Sequence, residues 1–221
     1  MILTKLIVSC QAEPGSPFND INSVVKFALS AKIGGAGGIR SEGISRTKKI
    51  IEEVGLPTIG LIKRRFRDDG FVGITIKERD VVDLIEIGSA IIAIDGTNRT
   101  REGMNGYNFI SKIKKKYDCK IMADVSTFEE GVQCEENGAD FISTTLNGYT
   151  PWTIEDNNGQ PNFNLISQLI EKIKKPVVAE GRIANPLQAS EMISKGCSHV
   201  VVGSFITRPH LITKAFVELL K

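Results

Sequence analysis

Eight short, nearly continuous aliphatic runs recur along the chain, and their spacing limits the folds that it can adopt. The last residues of successive runs lie 21 to 35 residues apart, which leaves room for one strand, one helix and two loops each time. Such runs are typical of strands that are buried on both faces of a parallel sheet. The runs are Leu6–Cys10, Gly38–Arg40, Thr58–Lys63, Ala90–Asp95, Lys120–Asp124, Phe141–Thr145, Pro176–Glu180 and His199–Gly203.

The intervals between the runs carry helix signals. Apolar residues repeat there at intervals of three and four, which predicts amphipathic helices. Thr127 followed by Glu130 predicts a capping box. Asn185 before Pro186 predicts an N-cap with proline in the first turn, and Gly196 predicts the end of that helix.

This alternation predicts an α/β protein, a single-domain (β/α)8 TIM barrel over residues 1–221. An open doubly wound sheet is the alternative. The turn after the first run, residues 10–15, lacks the Gly-x-Gly-x-x-Gly signature of a dinucleotide fold. The longest polar loop, residues 151–162, is expected at the surface near the barrel mouth.

Charge and cysteine content narrow the classes of partner. Lys and Arg number 28 against 26 Asp and Glu, so the chain lacks the strong basic field of many nucleic-acid binders. No stretch approaches the roughly 18 uncharged apolar residues of a membrane span. The four cysteines form no CxxC pair and only two histidines are present, which disfavours a zinc site. We therefore expect a cytoplasmic protein without a metal, a nucleic-acid partner or a membrane partner.

Polar residues gather at the C-terminal ends of the runs, where barrel enzymes place their chemistry. The opposite ends carry mostly Pro, Ala, Lys or His. This asymmetry predicts an enzyme whose site lies at the C-terminal face of the barrel. The polar residues at these ends are Gln11, Arg40, Lys63, Asp95, Asp124, Thr144, Thr145, Glu180 and Ser204.

Lys63 and Glu180 are the candidate catalytic residues. A partly buried lysine among other cations has a lowered pKa and can accept a proton, and a carboxylate at a barrel mouth is a common general acid or base. Alternatively, Lys63 lies on the surface beyond its strand, and Glu180 pairs with Arg182. Asp124 either acts as a second acid or base or orients Lys63, and Asp95 serves either the site or a turn.

Glycines after the last two runs predict a phosphate site. Gly181 with Arg182 and Gly203 with Ser204 stand where many barrels bind phosphate through backbone N–H groups and a helix N-terminus. Arg208 precedes the last helix and either binds an anion or lies on the surface.

Motifs along residues 7–216 resemble those of the N-acetylmannosamine-6-phosphate 2-epimerases. The most specific of them are Val8-Ser-Cys-Gln-Ala12, Ser143-Thr-Thr-Leu-Asn-Gly-Tyr-Thr150 and Ile206-Thr-Arg-Pro209. The resemblance implies a phosphate-binding barrel that interconverts N-acetylmannosamine 6-phosphate and N-acetylglucosamine 6-phosphate in sialic acid and amino-sugar catabolism. It also implies a homodimer without a redox cofactor.

The resemblance assigns the family's active-site lysine and glutamate to Lys63 and Glu180. Its supporting polar residues match four further positions, and with Thr145 they form the predicted substrate-binding set. That set is Gln11, Arg40, Asp124, Thr145 and Arg208.

Three places depart from the family pattern. The stretch Val72–Lys77 keeps Thr75 but not the residues that usually follow it, Gly96 replaces an alanine, and Phe205 replaces a small residue. We expect these changes to affect loop packing and sugar contacts rather than the type of reaction.

For the reaction that the resemblance implies, we expect proton transfer at C2 of a ring-opened sugar, because the C1 aldehyde makes the C2 hydrogen acidic. Alternatives remain. A ribulose-phosphate type of epimerase would need metal-binding histidines that the chain lacks, and a thiazole or imidazole synthase would share the phosphate site. A non-catalytic phosphosugar-binding regulatory barrel would keep Gly181, Gly203 and Ser204 but would not require Lys63 or Glu180.

Overall fold

In the computed structural model, which describes residues 4–221, eight parallel strands close into a barrel surrounded by helices. The predicted (β/α)8 barrel is therefore confirmed, although residues 1–3 of the predicted domain lie outside the described residues. The barrel strands are β1 (Leu6–Cys10), β2 (Gly38–Glu42), β3 (Thr58–Leu61), β6 (Ile91–Asp95), β7 (Ile121–Asp124), β8 (Phe141–Ser143), β9 (Val177–Glu180) and β10 (His199–Val202). Strands β4 (Lys63–Arg65) and β5 (Val72–Ile74) form a separate antiparallel hairpin.

Helices follow the barrel strands, and their ends match the local sequence signals. Thr127 and Glu130 form the predicted capping box at the start of α5. Asn185 caps α7 ahead of Pro186, and Gly196 ends it in the left-handed conformation. The helices are α1 (Ile21–Ile33), α2 (Ile44–Val54), α3 (Glu78–Glu86), α4 (Gly106–Lys116), α5 (Phe128–Glu136), α6 (Phe163–Lys172), α7 (Pro186–Lys195), α8 (Ser204–Thr207) and α9 (Pro209–Leu219).

Two aliphatic layers fill the molecule. Side chains such as Ile59, Met122 and Val201 occupy the barrel interior, and a larger layer that includes Phe109 and Leu169 lies between the strands and the helices. Because both faces of each barrel strand are covered, the strands read as continuous apolar runs rather than alternating ones. No helix among residues 4–221 has the length and apolar character needed to span a bilayer.

The predicted end of the third strand, at Lys63, was wrong. Strand β3 stops at Leu61, and Lys63 is the first residue of the β4–β5 hairpin. The chain leaves the barrel at Ile62, whose N–H donates to Thr75 Oγ1 while the Thr75 N–H donates to the Ile62 carbonyl. Thr75 has a φ of 50°, in the left-handed region. These two reciprocal hydrogen bonds turn the segment away from the barrel. An apolar run in the sequence does not predict them.

The last helix has an unusual environment. None of the residues of α9 is buried, and its contacts are mainly with the short α8. Its apolar side chains are open to solvent, with Phe216 66% and Leu219 89% exposed. A helix that closes a barrel normally buries one apolar stripe, so this stripe is left without a partner among residues 4–221.

Candidate active site

A cavity of about 630 Å³ opens at the C-terminal ends of the barrel strands. It lies where barrel enzymes hold their substrates, and its size is within the range of small-molecule sites. The predicted site residues that line it are Gln11, Lys63, Thr145, Glu180, Gly181, Arg182, Gly203, Ser204 and Arg208. Residues far apart in the sequence are thus brought to one mouth because parallel strands end at the same edge.

Arg40 and Asp124 lie beneath the cavity floor rather than on its lining. Both side chains are almost fully buried, and they form a bidentate pair with Nη1–Oδ1 and Nη2–Oδ2 distances of 3.1 and 2.6 Å. The Arg40 Nη1 atom also lies 3.1 Å from Glu180 Oε2. Arg40 therefore joins the two carboxylates, and a substrate in the cavity would meet this pair through Glu180.

Thr145 bridges the same two carboxylates from the β8 side. Its Oγ1 atom lies 2.7 Å from Asp124 Oδ1 and 3.1 Å from Glu180 Oε2. A hydroxyl group carries a single proton, so it can donate to only one of the two at a time. Glu180 is consequently held by Arg40 on one side and Thr145 on the other, which fixes the position of its carboxyl group.

Burial sets the ionisation of Glu180. Burial and the nearby Asp124 carboxylate together raise the pKa of Glu180 to about 7, against the lowering effects of Arg40, Thr145 and Lys63. Because the Arg40 guanidinium contacts both Glu180 and Asp124, its single positive charge does not favour full ionisation of both carboxyl groups. Near neutral pH Glu180 can both release and take up a proton.

The amine of Lys63 faces the same cavity. Although the side chain is open to the cavity, desolvation by the surrounding walls lowers its pKa, and the positive charges of Arg208 and Arg40 lower it as well. Glu42 and Glu180 oppose this shift. A lysine whose pKa is lowered in this way supplies more of the neutral amine that can accept a proton.

The loop after β9 has the backbone geometry of an anion site. Gly181 and Arg182 both have positive φ, at 117° and 56°. Successive N–H groups in such turns form concave anion-binding nests. The Arg182 guanidinium is already engaged, because it donates to the carbonyls of Gln160 and Asn147 and to the Asn147 side chain. Three of its five N–H donors are therefore used within the protein, and these contacts fix its position beside the loop.

The loop after β10 supplies the second half of the predicted phosphate site. Gly203 is the N-cap of α8, and the first N–H group that donates within this helix is that of Ile206, to the Gly203 carbonyl. The N–H groups of Ser204 and Phe205 precede this first helical hydrogen bond. Arg208 donates to Ser204 Oγ and lies 2.7 Å from Glu13 Oε2. These contacts hold Arg208 at the cavity wall rather than in bulk solvent.

Gln11 and Ser9 lie at the end of β1. Gln11 donates one Nε2 N–H to Ser9 Oγ over 2.8 Å, and its side chain lines the cavity. Asp95, an open candidate from the sequence, is fully buried and paired with Arg99 and Arg101 at 2.7 and 2.8 Å. It therefore serves the loop after β6 and does not line the cavity.

Several lining residues were missed by the sequence reasoning. They come mostly from the β4–β5 hairpin and from the turns after β8 and β9, and no strand-end rule selects them. The available signals were the positions of Ser9 in the Val8–Ala12 motif and of Leu146 and Tyr149 in the Ser143–Thr150 motif. The missed residues are Ser9, Arg65, Asp69, Gly70, Phe71, Val72, Ile74, Leu146, Tyr149, Ile183 and Val201.

Comparisons with known proteins agree along nearly the whole chain. A family model described as "Putative N-acetylmannosamine-6-phosphate epimerase" matches residues 24–221. A relative of the same description from Caldanaerobacter subterraneus is 44% identical over 219 residues, covering 98% of this chain and 91% of the relative. A second, from Clostridium perfringens, is 40% identical and covers 98% and 96%.

A solved structure supports the same likeness. The N-acetylmannosamine-6-phosphate 2-epimerase from Clostridium perfringens superposes with a TM-score of 0.90 at 38% identity, covering 97% of this chain and 93% of that one. A thiamine phosphate pyrophosphorylase from Pyrococcus furiosus has a TM-score of 0.59 at 18% identity, which reflects the barrel fold alone.

Proposed function

The chain belongs to the N-acetylmannosamine-6-phosphate epimerase family, and we propose that it interconverts N-acetylmannosamine 6-phosphate and N-acetylglucosamine 6-phosphate. The observation that carries the proposal is that an amine and a carboxyl group, Lys63 and Glu180, line one cavity of sugar-phosphate size. These are the two groups that the proton transfers require.

The reaction must remove the hydrogen at C2 and return one to the opposite face. In the ring-closed sugar this hydrogen is not acidic. Ring opening gives an aldehyde at C1, and loss of the C2 proton then leaves an enolate whose charge rests mainly on the C1 oxygen. Reprotonation of C2 from the other face gives the epimer, so atoms and charges balance without an external oxidant.

Lys63 and Glu180 are the proposed proton-transfer groups. The lowered pKa of Lys63 and the raised pKa of Glu180, about 7, bring both toward neutral pH, where a general acid or base works best. Arg40, Asp124 and Thr145 keep the Glu180 carboxyl in place through the contacts described above. The ammonium form of Lys63 and the second Nε2 N–H of Gln11 are candidates to donate hydrogen bonds to the enolate oxygen.

The phosphate group is proposed to bind between the loops after β9 and β10. The backbone of Gly181 and Arg182, the Gly203–Ser204 turn and the Arg208 guanidinium all border this side of the cavity. Arg208 also lowers the pKa of Lys63, so the anion and the proton-transfer lysine share one cationic neighbour. The proposed setting is amino-sugar and sialic acid catabolism in the cytoplasm, whose reducing conditions suit four free cysteines.

The protein is further proposed to act as a homodimer. The support is the exposed apolar stripe of α9, which includes Leu211, Phe216 and Leu219. Exposed contiguous apolar surface of this kind marks protein–protein contacts. A second copy of the same helix is the proposed occupant, since a two-fold contact brings identical patches together.

The experiment is an assay of purified protein with N-acetylmannosamine 6-phosphate in deuterated water. The expected product is N-acetylglucosamine 6-phosphate with deuterium at C2, formed at the same rate with and without a chelator. Free N-acetylmannosamine serves as the comparison substrate for the phosphate contribution. Tight binding without turnover would contradict the proposal and favour a regulatory phosphosugar-binding barrel, and product without deuterium would contradict proton exchange at C2.

A further inference from the structure

We propose that the ion pair between Arg64 and Asp80 is a positioning device for Lys63, which holds strand β4 so that the amine faces the cavity. The inference rests on the proposed role of Lys63 in proton transfer. Neither Arg64 nor Asp80 lines the cavity, so neither would touch the substrate.

The hairpin presents alternate residues to opposite sides. Lys63 and Arg65 line the cavity together with their cross-strand partners Ile74 and Val72. Arg64 lies between them and points the other way, because successive side chains of a strand alternate. The direction of Lys63 is therefore coupled to the direction of Arg64, and a group that fixes one fixes the other.

Asp80 is the group that fixes Arg64. The Arg64 Nε and Nη2 atoms donate to the two Asp80 carboxylate oxygens over 2.7 and 2.6 Å. The Asp80 side chain is 1% exposed and stands in the first turn of α3, where the helix dipole favours a negative charge. A planar guanidinium held by two bonds resists rotation, which a single-point ammonium contact would not.

Two further anchors hold the two ends of the hairpin. At the base, Ile62 and Thr75 exchange backbone and hydroxyl hydrogen bonds. At the tip, Arg99 donates to the Val72 carbonyl and stacks 4.3 Å above the Phe66 ring. The Arg64 pair is placed between these anchors, one residue from the reactive amine.

The charged groups that act on Lys63 come from β2, from β9 and from the junction between α8 and α9. They are Arg208, Arg40, Glu42 and Glu180, and together with desolvation they determine its proton affinity. If the hairpin turned, water would reach the amine and its pKa would rise toward the ordinary lysine value. The neutral amine would then form only at higher pH, and the acid limb of the kcat/KM profile would move upward.

The test uses Arg64→Lys, which keeps the positive charge but loses the two-point contact, and Asp80→Asn. We expect each to lower kcat at least about tenfold, with a smaller change in KM, and to shift the acid limb to higher pH. The kcat of the double variant should be no lower than that of the less active single variant, because both substitutions break the same interaction. Arg79→Lys and Asp83→Asn are the matched controls, since this neighbouring pair on α3 is also 2.7 Å apart but faces solvent.

The outcomes separate the two proposals. If the wild-type protein shows no epimerase activity, the proposed function and this inference both fall. If the wild type is active and Lys63→Ala is not, but Arg64→Lys keeps the wild-type kcat and pH profile, this inference alone is overturned. A lowered melting temperature with unchanged kinetics would likewise reduce the pair to a structural role. If Asp80→Asn fails to fold, Arg64→Lys still tests the proposal, because Arg64 is half-exposed and tolerates substitution more readily.

Discussion

The Arg40 Nη1 atom lies 3.1 Å from Glu180 Oε2, and this contact connects the buried interior of the barrel to the cavity. Arg40 is 1% exposed and Glu180 is 13% exposed, so the charge of a fully enclosed guanidinium acts directly on a carboxyl group at the cavity surface. Asp124 shares the same guanidinium. The ionisation of Glu180 is thus determined by a network of which the substrate would meet only one member.

Replacing Arg40 with methionine should destabilise the fold and damage the site together. Asp124 would lose its bidentate partner, and Glu180 would lose the guanidinium that contacts it directly. Breaking a buried ion pair typically costs about 3–5 kcal/mol. Urea unfolding should show the loss. The double variant Arg40→Met with Asp124→Asn should recover part of it, because one stranded charge is removed. An unchanged midpoint in Arg40→Met would contradict this account.

Lys63→Ala and Glu180→Gln should each lower kcat by about 10²–10⁴, the usual contribution of a general acid or base. The measurement is steady-state turnover of N-acetylmannosamine 6-phosphate. Lys48→Ala, a solvent-exposed lysine on α2, is the control and should retain wild-type turnover. Near-normal activity in either site variant would show that its side chain does not transfer the proton.

Stability should depend on pH through Glu180. Because its pKa is raised to about 7 in the folded protein, its stabilising contribution is fully present below its ordinary value near 4.5 and is lost as the pH rises through 7. Glu180→Gln cannot ionise, so relative to the wild type it should gain up to about 3 kcal/mol between pH 5 and pH 8. Urea unfolding at several pH values measures the difference. Exposed Glu171→Gln is the control, and parallel profiles for wild type and Glu180→Gln would contradict the expectation.

Gly96→Ala should be costly in this chain. A Cβ atom there would lie 2.5 Å from Cys134 Sγ and 3.1 Å from Val125 Cγ1. Overpacking of this kind costs about 1–3 kcal/mol. The cost should shrink in a Cys134→Ala background, where the sulfur is absent.

Gly34→Ala is the matched control for this substitution. Its Cβ would lie 3.5 Å from two helix carbonyls and its φ is −72°, so the free energy of unfolding should change by about 0.5 kcal/mol or less. Equal costs for Gly96→Ala with and without Cys134 would show that the two sites are not coupled.

Phe216→Asp should convert the proposed dimer into a monomer. The change puts a charge into the apolar stripe of α9, which we expect to be covered by a second copy. Light scattering after size-exclusion chromatography gives the mass directly. Ile33→Asp, at an exposed apolar position on α1, should leave the mass unchanged. A wild-type protein that is monomeric at micromolar concentration would contradict the proposal.

Much of the site followed from the sequence because strand ends are local features. The apolar runs located the barrel strands, and the residues just beyond them supplied Gln11, Lys63, Glu180 and the two glycine turns. Parallel closure then brings these ends together without further information. The hairpin could not be predicted, because it depends on the bonds between Ile62 and Thr75, thirteen positions apart, and on an unusual φ at Thr75.

The sequence by itself determined the alternation of strands and helices, their caps and the chemistry available at the barrel mouth, since these depend on residues within a few positions of one another. The tertiary structure alone decided which of those groups touch the cavity and which lie beneath it. Arg40 and Asp124 are 84 positions apart, and their pairing under Glu180 exists only after the barrel has closed. Ionisation at the site depends on that enclosure, because burial and charge contacts across the barrel, rather than the neighbours in sequence, set the pKa of each group.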